Sequence, residues 1–229
     1  MSPFGGFDMP IQYKGITEEH NAVREACGVF DVSHMGEVIV TGDDATRFVN
    51  YIFSNDVTQA APGQCLYGMM LNDRGGVVDD LLVYKFSETK YLLVINASNI
   101  AKDEEWIQER MNDSNPDRED GMPFRVELEL VSEVVSELAV QGPEAEKVVE
   151  EVLGIKCSDL TFYTFKETSV DEHDVLISRT GYTGEDGFEI YAEDEVIEKL
   201  WDFLMQSGRC EPCGLGCRDT LRFEVGLPL

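Results

Sequence analysis

The chain has 229 residues, 43% of them hydrophobic and 28% charged, with 18 basic against 45 acidic side chains and a net charge of −27. That apolar content excludes a wholly disordered chain, and the length excludes a disulfide-stapled miniprotein. The acidity argues against nucleic acid and anionic membrane surfaces as partners, both of which need a basic face, and no apolar run approaches the ~20 residues of a membrane span.

Met1–Tyr13 shows no charged start followed by an apolar stretch, so no signal peptide is read there. Hydrophobic periodicity then predicts a helix over Thr17–Ala26, a strand over Glu37–Val40 and a helix over Asp44–Phe53. Strands follow over Val77–Phe86 and Tyr91–Ile95, then a helix over Ile100–Met111. Asn112–Pro123 reads as an exposed acidic loop and a candidate boundary. Beyond it come strands Phe124–Val131 and Glu137–Val140, and a helix over Pro143–Leu153 whose proline suits a first turn. Strands Val175–Arg179 and Phe188–Ala192 and helices Glu195–Gln206 and Cys217–Val225 complete the chain. In Phe124–Val131, Val126, Leu128 and Leu130 alternate with Arg125, Glu127 and Glu129, which predicts antiparallel sheets with one wet face. Strands in groups with helices between them predict an α+β fold rather than a parallel βαβ array.

Six cysteines without a secretory leader read as reduced thiols in the cytoplasm. Three of them, Cys210, Cys213 and Cys217, supply too few ligands for a structural metal, and His20, His34 and His173 lie far from them in sequence. They read as small packing residues, and no metal is expected.

Asp103 is the most suggestive carboxylate. Ile100, Asp103, Ile107 and Met111 recur at helical spacing and share one face, while Glu104, Glu105 and Glu109 lie off it. A carboxylate in an apolar stripe is paired or functional, and an acid in a first turn is also stabilised by the helix dipole. The segment Arg179-Thr180-Gly181-Tyr182-Thr183-Gly184-Glu185-Asp186-Gly187 joins two strands and permits a close backbone approach. It lacks the Lys-Ser/Thr of a phosphate-binding loop. After it, Phe188, Ile190 and Ala192 take one face, and Glu189 and Tyr191 the other. Glu189 is therefore either an ordinary wet-face residue or a carboxylate that accepts two parallel N–H bonds from a planar heterocycle. Arg218, after Gly216, clamps a carboxylate or caps an internal acid such as Asp219. Asp31, Ser33 and His34 are too close along the chain to form a nucleophilic triad.

The stretches PFGGFDMPIQY, GVFDVSHMGEV, GGVVDDLLVYKF, VINASNIAKD, LAVQGP, RTGYTGEDGFEI and PCGLGCRDTLRFEVGL run in order through the chain. Together they closely resemble the T-protein of the glycine cleavage system, the tetrahydrofolate-dependent aminomethyltransferase family. The resemblance implies two antiparallel-sheet-plus-helix domains around a folate channel. Residues 1–50 and 132–229 would form the first, and 51–131 the second. It implies a chain shortened at both ends and lacking the family's C-terminal β-barrel domain.

By the same resemblance Asp103 is the catalytic aspartate, Glu189 grips the pterin and Arg218 contacts folate. Tyr84, Asn96, Met35 and Tyr182 line the site. The implied reaction moves the one-carbon unit from the aminomethyl-lipoyl arm of the H-protein to tetrahydrofolate, releasing ammonia and giving 5,10-methylenetetrahydrofolate. A pterin presents a ring N–H beside an amino group, which suits Glu189. A folate-dependent demethylase on the same scaffold and a non-catalytic folate-binding fragment are the alternatives.

Overall fold

A computed structural model describes residues 1–116 and 121–229. In chain order it begins with β1 (Ser2–Phe4), β2 (Phe7–Met9), α1 (Ile16–Glu25), β3 (Gly28–Asp31), β4 (Gly36–Thr41) and α2 (Ala45–Ile52). Next come β5 (Gln64–Leu71), β6 (Val77–Ser87), β7 (Lys90–Ile95), α3 (Ile100–Met111) and β8 (Glu127–Leu130). The remainder is β9 (Ser136–Gln141), α4 (Ala145–Val152), β10 (Phe165–Val170), β11 (His173–Ser178), β12 (Gly187–Ala192), α5 (Asp194–Ser207), β13 (Glu211–Pro212) and α6 (Leu215–Glu224).

These elements fall into two units, Met1–His34 with Val134–Leu229, and Met35–Glu133. The first holds a six-stranded sheet of order β10-β11-β12-β9-β3-β13, antiparallel except where the short β13 runs parallel to β3. Alternation sends Leu138, Val140, Val175, Ile177, Phe188 and Ile190 to one face. There they form a core with Val148 and Val149 of α4 and Val196, Leu200 and Leu204 of α5. The second unit holds a five-stranded antiparallel sheet of order β5-β6-β7-β4-β8. Its core joins Val38, Val40, Leu81, Val83, Leu93 and Ile95 to Phe48 and Val49 of α2 and Ile107 of α3. Among the described residues no helix is long and apolar enough to cross a membrane.

The antiparallel α+β architecture matches the expectation from patterning. The division between units differs from the one inferred from family resemblance. β4 and α2, placed with the first domain from sequence, lie in the second unit. The reason is pairing: β4 is zipped between β7 and β8, with Val38 opposite Leu93 and Leu130. The α4 helix begins at Ala145, so Pro143 precedes it in the turn where Ala145 N donates to Gly142 O. Four of the strands absent from the prediction, β3, β5, β10 and β13, are paired by partners distant in sequence or lack a clean alternation. The β10–β11 hairpin carries no glycine signal, because Asp171 and Glu172 themselves take positive φ values of 49° and 70°. Part of the predicted acidic loop, residues 117–120, lies outside the described residues.

All six cysteines are buried and unbridged. Cys210 meets Cys27 across the β13–β3 junction, Sγ to Sγ 2.8 Å. Cys213 faces Cys217.

Candidate functional site

Two groups of buried acids stand out, one in each unit. In the first, Glu189 sits at the middle of β12, a strand buried along its whole length, so it is no wet-face residue. The hydroxyl of Thr180 donates to Glu189 Oε2 at 2.5 Å and shares a 2.6 Å hydrogen bond with Ser178 Oγ. Burial raises the Glu189 pKa, while the Thr180 hydrogen bond and the Arg218 charge oppose that rise. The guanidinium of Arg218 lies 4.9 Å from the ring centre of Tyr182, a cation–π geometry. Among the described residues its buried Nη1 has no hydrogen-bond partner. His34, also buried, is pushed down to about 4 by burial and by Arg218, and so is neutral at physiological pH.

The glycine-rich segment is held from both sides. Gln141, fully buried at the end of β9, donates to Thr180 O at 3.0 Å and accepts from Thr183 Oγ1 at 2.8 Å. Any Cβ at Gly181 or Gly187 would collide with the Gln141 amide, which explains two of the glycines by close approach. Arg24 of α1 donates to Thr183 O at 2.6 Å and to Glu185 at 3.0 Å. Arg179 clamps Asp186 through two bonds of 2.9 and 2.6 Å. Tyr182 donates from its hydroxyl to Pro228 O. Thr180 and Tyr182 are therefore fixed beside Glu189 and Arg218 rather than on a loose loop.

In the second unit Asp103 is wholly buried on α3, on the stripe that its spacing predicted. Neither of its oxygens receives a well-aligned hydrogen bond from a described residue. Lys102 Nζ approaches Oδ1 to 3.2 Å, but its side chain is half exposed and donates to Val78 O at 2.5 Å. Burial, then the adjacent Asp79 carboxylate, push the Asp103 pKa up to about 8. The helix N-terminus, which favours the anion, does not outweigh them. Asp79, on β6, is itself raised by burial. Hydrogen bonds with Asp103 and from Asn99, Asp80 N and Asn96 outweigh that effect and lower it overall.

Asn96, a predicted lining residue, donates to Asp79 Oδ1 at 3.0 Å and to Asp80 Oδ1 at 2.8 Å, and so belongs to the Asp103 group. Tyr84 is fully buried on β6 but shares its face with Asp80 and Leu82, the opposite face from Asp79. Met35 is half-buried in the turn before β4. The structure thus brings Glu189, Arg218 and Tyr182 together in one unit and Asp103 with Asn96 in the other. Sequence reasoning missed Thr180, Gln141, His34 and Asp79. Each lies inside a motif it had singled out, but only pairing across strands distinguishes these residues from their neighbours.

Comparison with known proteins places this arrangement. All 229 residues match the family model described as the GCVT N-terminal domain. An aminomethyltransferase of Staphylococcus carnosus (strain TM300) is 45% identical over 227 residues, covering 99% of this chain and 60% of that one. One from Alkaliphilus metalliredigens (strain QYMF) is 49% identical over 230 residues, with the same two shares. The crystal structure of glycine cleavage system aminomethyltransferase T from Bartonella henselae superposes with a TM-score of 0.88 at 34% identity, covering 100% of this chain and 59% of that one. Two mainly antiparallel sheets backed by helices, one in each unit, define the class as α+β. Within that class the chain belongs to the GCVT N-terminal domain family. It spans about 60% of the length of the curated relatives it matches.

Proposed function

We propose that this chain carries the folate-binding and proton-transfer groups of an aminomethyltransferase of the glycine cleavage system. Its donor would be the aminomethyl-lipoyl arm of the H-protein and its acceptor tetrahydrofolate. The observation that carries this reading is Asp103, a fully buried carboxyl that keeps its proton near neutrality. Displacing an amine as ammonia needs a proton at the departing nitrogen, and a neutral carboxyl supplies one at pH 7 where an ordinary aspartate cannot. In this role Asp103 gives up its proton from Oδ and is recharged from solvent. Tetrahydrofolate, when bound, accepts the one-carbon unit.

The other group fits a pterin. Glu189 can receive a ring N–H and its neighbouring amino group, and the donors it attracts favour its anion against burial. Arg218 Nη1, without a hydrogen-bond partner among the described residues, is a donor in need of an acceptor, which a folate carbonyl or carboxylate supplies. Arg218 also adds a positive charge beside Glu189 that favours the bound anion.

Turnover of aminomethyl-lipoyl H-protein with tetrahydrofolate tests the reading. Folate-dependent ammonia release that Asp103→Asn abolishes supports it. A well-folded chain without turnover under saturating substrates, and without tetrahydrofolate binding by calorimetry, overturns it.

A further inference from the structure

The reading of Asp103 as a proton donor leaves open what keeps its proton in place, and the hydrogen bonds around it identify the residue. Asp79 is nine-tenths buried and is surrounded by groups that only donate. Its Oδ1 receives Asn96 Nδ2 at 3.0 Å and the backbone N–H of Asp80 at 3.0 Å, and its Oδ2 receives Asn99 Nδ2 at 2.8 Å. These three N–H donors occupy three of a carboxylate's about four acceptor sites and favour its ionised form. Asp103 has the opposite surroundings, since no described residue gives it a well-aligned hydrogen bond. Two buried carboxyls side by side do not both ionise, so one proton is shared between them. The donor count assigns that proton to Asp103 and the charge to Asp79.

We propose that Asp79 is the positioning residue for Asp103: fixed as the anion by Asn96, Asn99 and the Asp80 backbone, it holds the shared proton on Asp103 as the donor. This rests on the proposed function for its catalytic meaning, but the proton's location can be tested without turnover. The directions of the two pKa shifts agree, with Asp103 raised and Asp79 lowered. The remaining charged groups at the pair are Lys102, near Asp103, and Asp80, whose Oδ1 and Oδ2 are taken by Asn96 at 2.8 Å and Tyr67 at 2.6 Å. In the transfer, the O–H bond of Asp103 breaks and an N–H bond forms on the departing amine. The electron pair returns to Asp103, leaving two adjacent anions offset in part by Lys102. Water then restores the proton.

The test is infrared spectroscopy of the full chain, without substrates, with aspartate labelled at its side-chain carboxyl. The label separates Asp103 and Asp79 from Glu37 and Glu189. A protonated-carboxyl band is expected at pH 7, titrating with a midpoint near 8 and absent in Asp103→Asn. In Asp79→Asn the midpoint should fall by about one unit or more, a tenfold or larger loss of proton affinity. A band that survives Asp103→Asn, or a midpoint unmoved in Asp79→Asn, overturns the proposal. If Asp79→Asn does not fold, Asn99→Ala is read instead. Withdrawing one donor from Asp79 should shift the band, and an unchanged band overturns the proposal. In turnover, Asp79→Asn should lower kcat by about tenfold and move the alkaline limb of its pH profile downward, with KM for tetrahydrofolate held within about threefold. Absence of turnover in the unmodified chain would defeat the functional reading while the infrared measurements still decide the role of Asp79.

Discussion

Glu189 and Asp103 begin from the same physics and end differently. Each is a carboxyl at most 5% exposed, and burial raises the pKa of each. Around Glu189 the neighbours are a hydroxyl donor, Thr180, and a cation, Arg218, both of which pull it back toward the anion. Around Asp103 the neighbour is a second carboxylate, Asp79, which reinforces burial. One unit therefore holds a carboxyl that a hydroxyl donor and a cation draw toward the anion against the rise that burial imposes, and the other holds a carboxyl whose neighbour reinforces that rise. Burial makes a carboxylate expensive, and its neighbours decide what is done about that.

The sharpest way to break this contrast is Asp103→Asn, which keeps the shape and removes the transferable proton. It should lower kcat by about 10²- to 10⁴-fold while tetrahydrofolate affinity, measured by calorimetry, changes little. Glu189→Ala should do the reverse, weakening tetrahydrofolate by about 2–3 kcal/mol in the same titration. Affinity lost on Asp103→Asn and retained on Glu189→Ala would exchange the two roles.

Glu37 sharpens the comparison, because burial outweighs its hydroxyl neighbour, Ser132, with no second charge involved. It is fully buried on β4, neither of its oxygens receives a well-aligned hydrogen bond from a described residue, and burial pushes it up to about 8 against the opposing effect of the Ser132 hydroxyl. The folded chain therefore holds a proton that the unfolded chain releases above its ordinary 4.5, and wild-type stability falls as pH rises from about 4.5 to about 8. Glu37→Gln should gain about 2 kcal/mol at pH 9 in a denaturant titration, and the gain should vanish below about pH 4. The smallest effect is expected from Arg218→Lys. It keeps the charge beside Glu189 but loses the guanidinium's cation–π contact with Tyr182, so tetrahydrofolate should weaken by about 1 kcal/mol.

Much of this was legible along the chain. The stripe Ile100, Asp103, Ile107, Met111 set the α3 boundaries and put Asp103 on the buried face, because helical spacing is a local property. Alternation marked β8 and β12 for the same reason, and the glycine-rich segment announced itself by composition. The hairpin turn at Asp171 and Glu172 was hidden because its positive φ angles are carried by residues that give no such signal. β4 was assigned to the wrong unit because its partners, β7 and β8, lie about 50 and 90 residues further along.

Composition, periodicity and motif order by themselves determined the fold class and the family the chain resembles, and singled out two carboxyls that prove to be buried. These depend on residue type and on spacing of a few positions. Only the tertiary structure decided that Asp79 faces Asp103, that Thr180 and Arg218 attend Glu189, that Gln141 fills the space left by Gly181 and Gly187, and that Cys210 meets Cys27. The protonation of a carboxyl is set by every charge and donor within a few ångströms, and strand pairing brings those groups from across the chain.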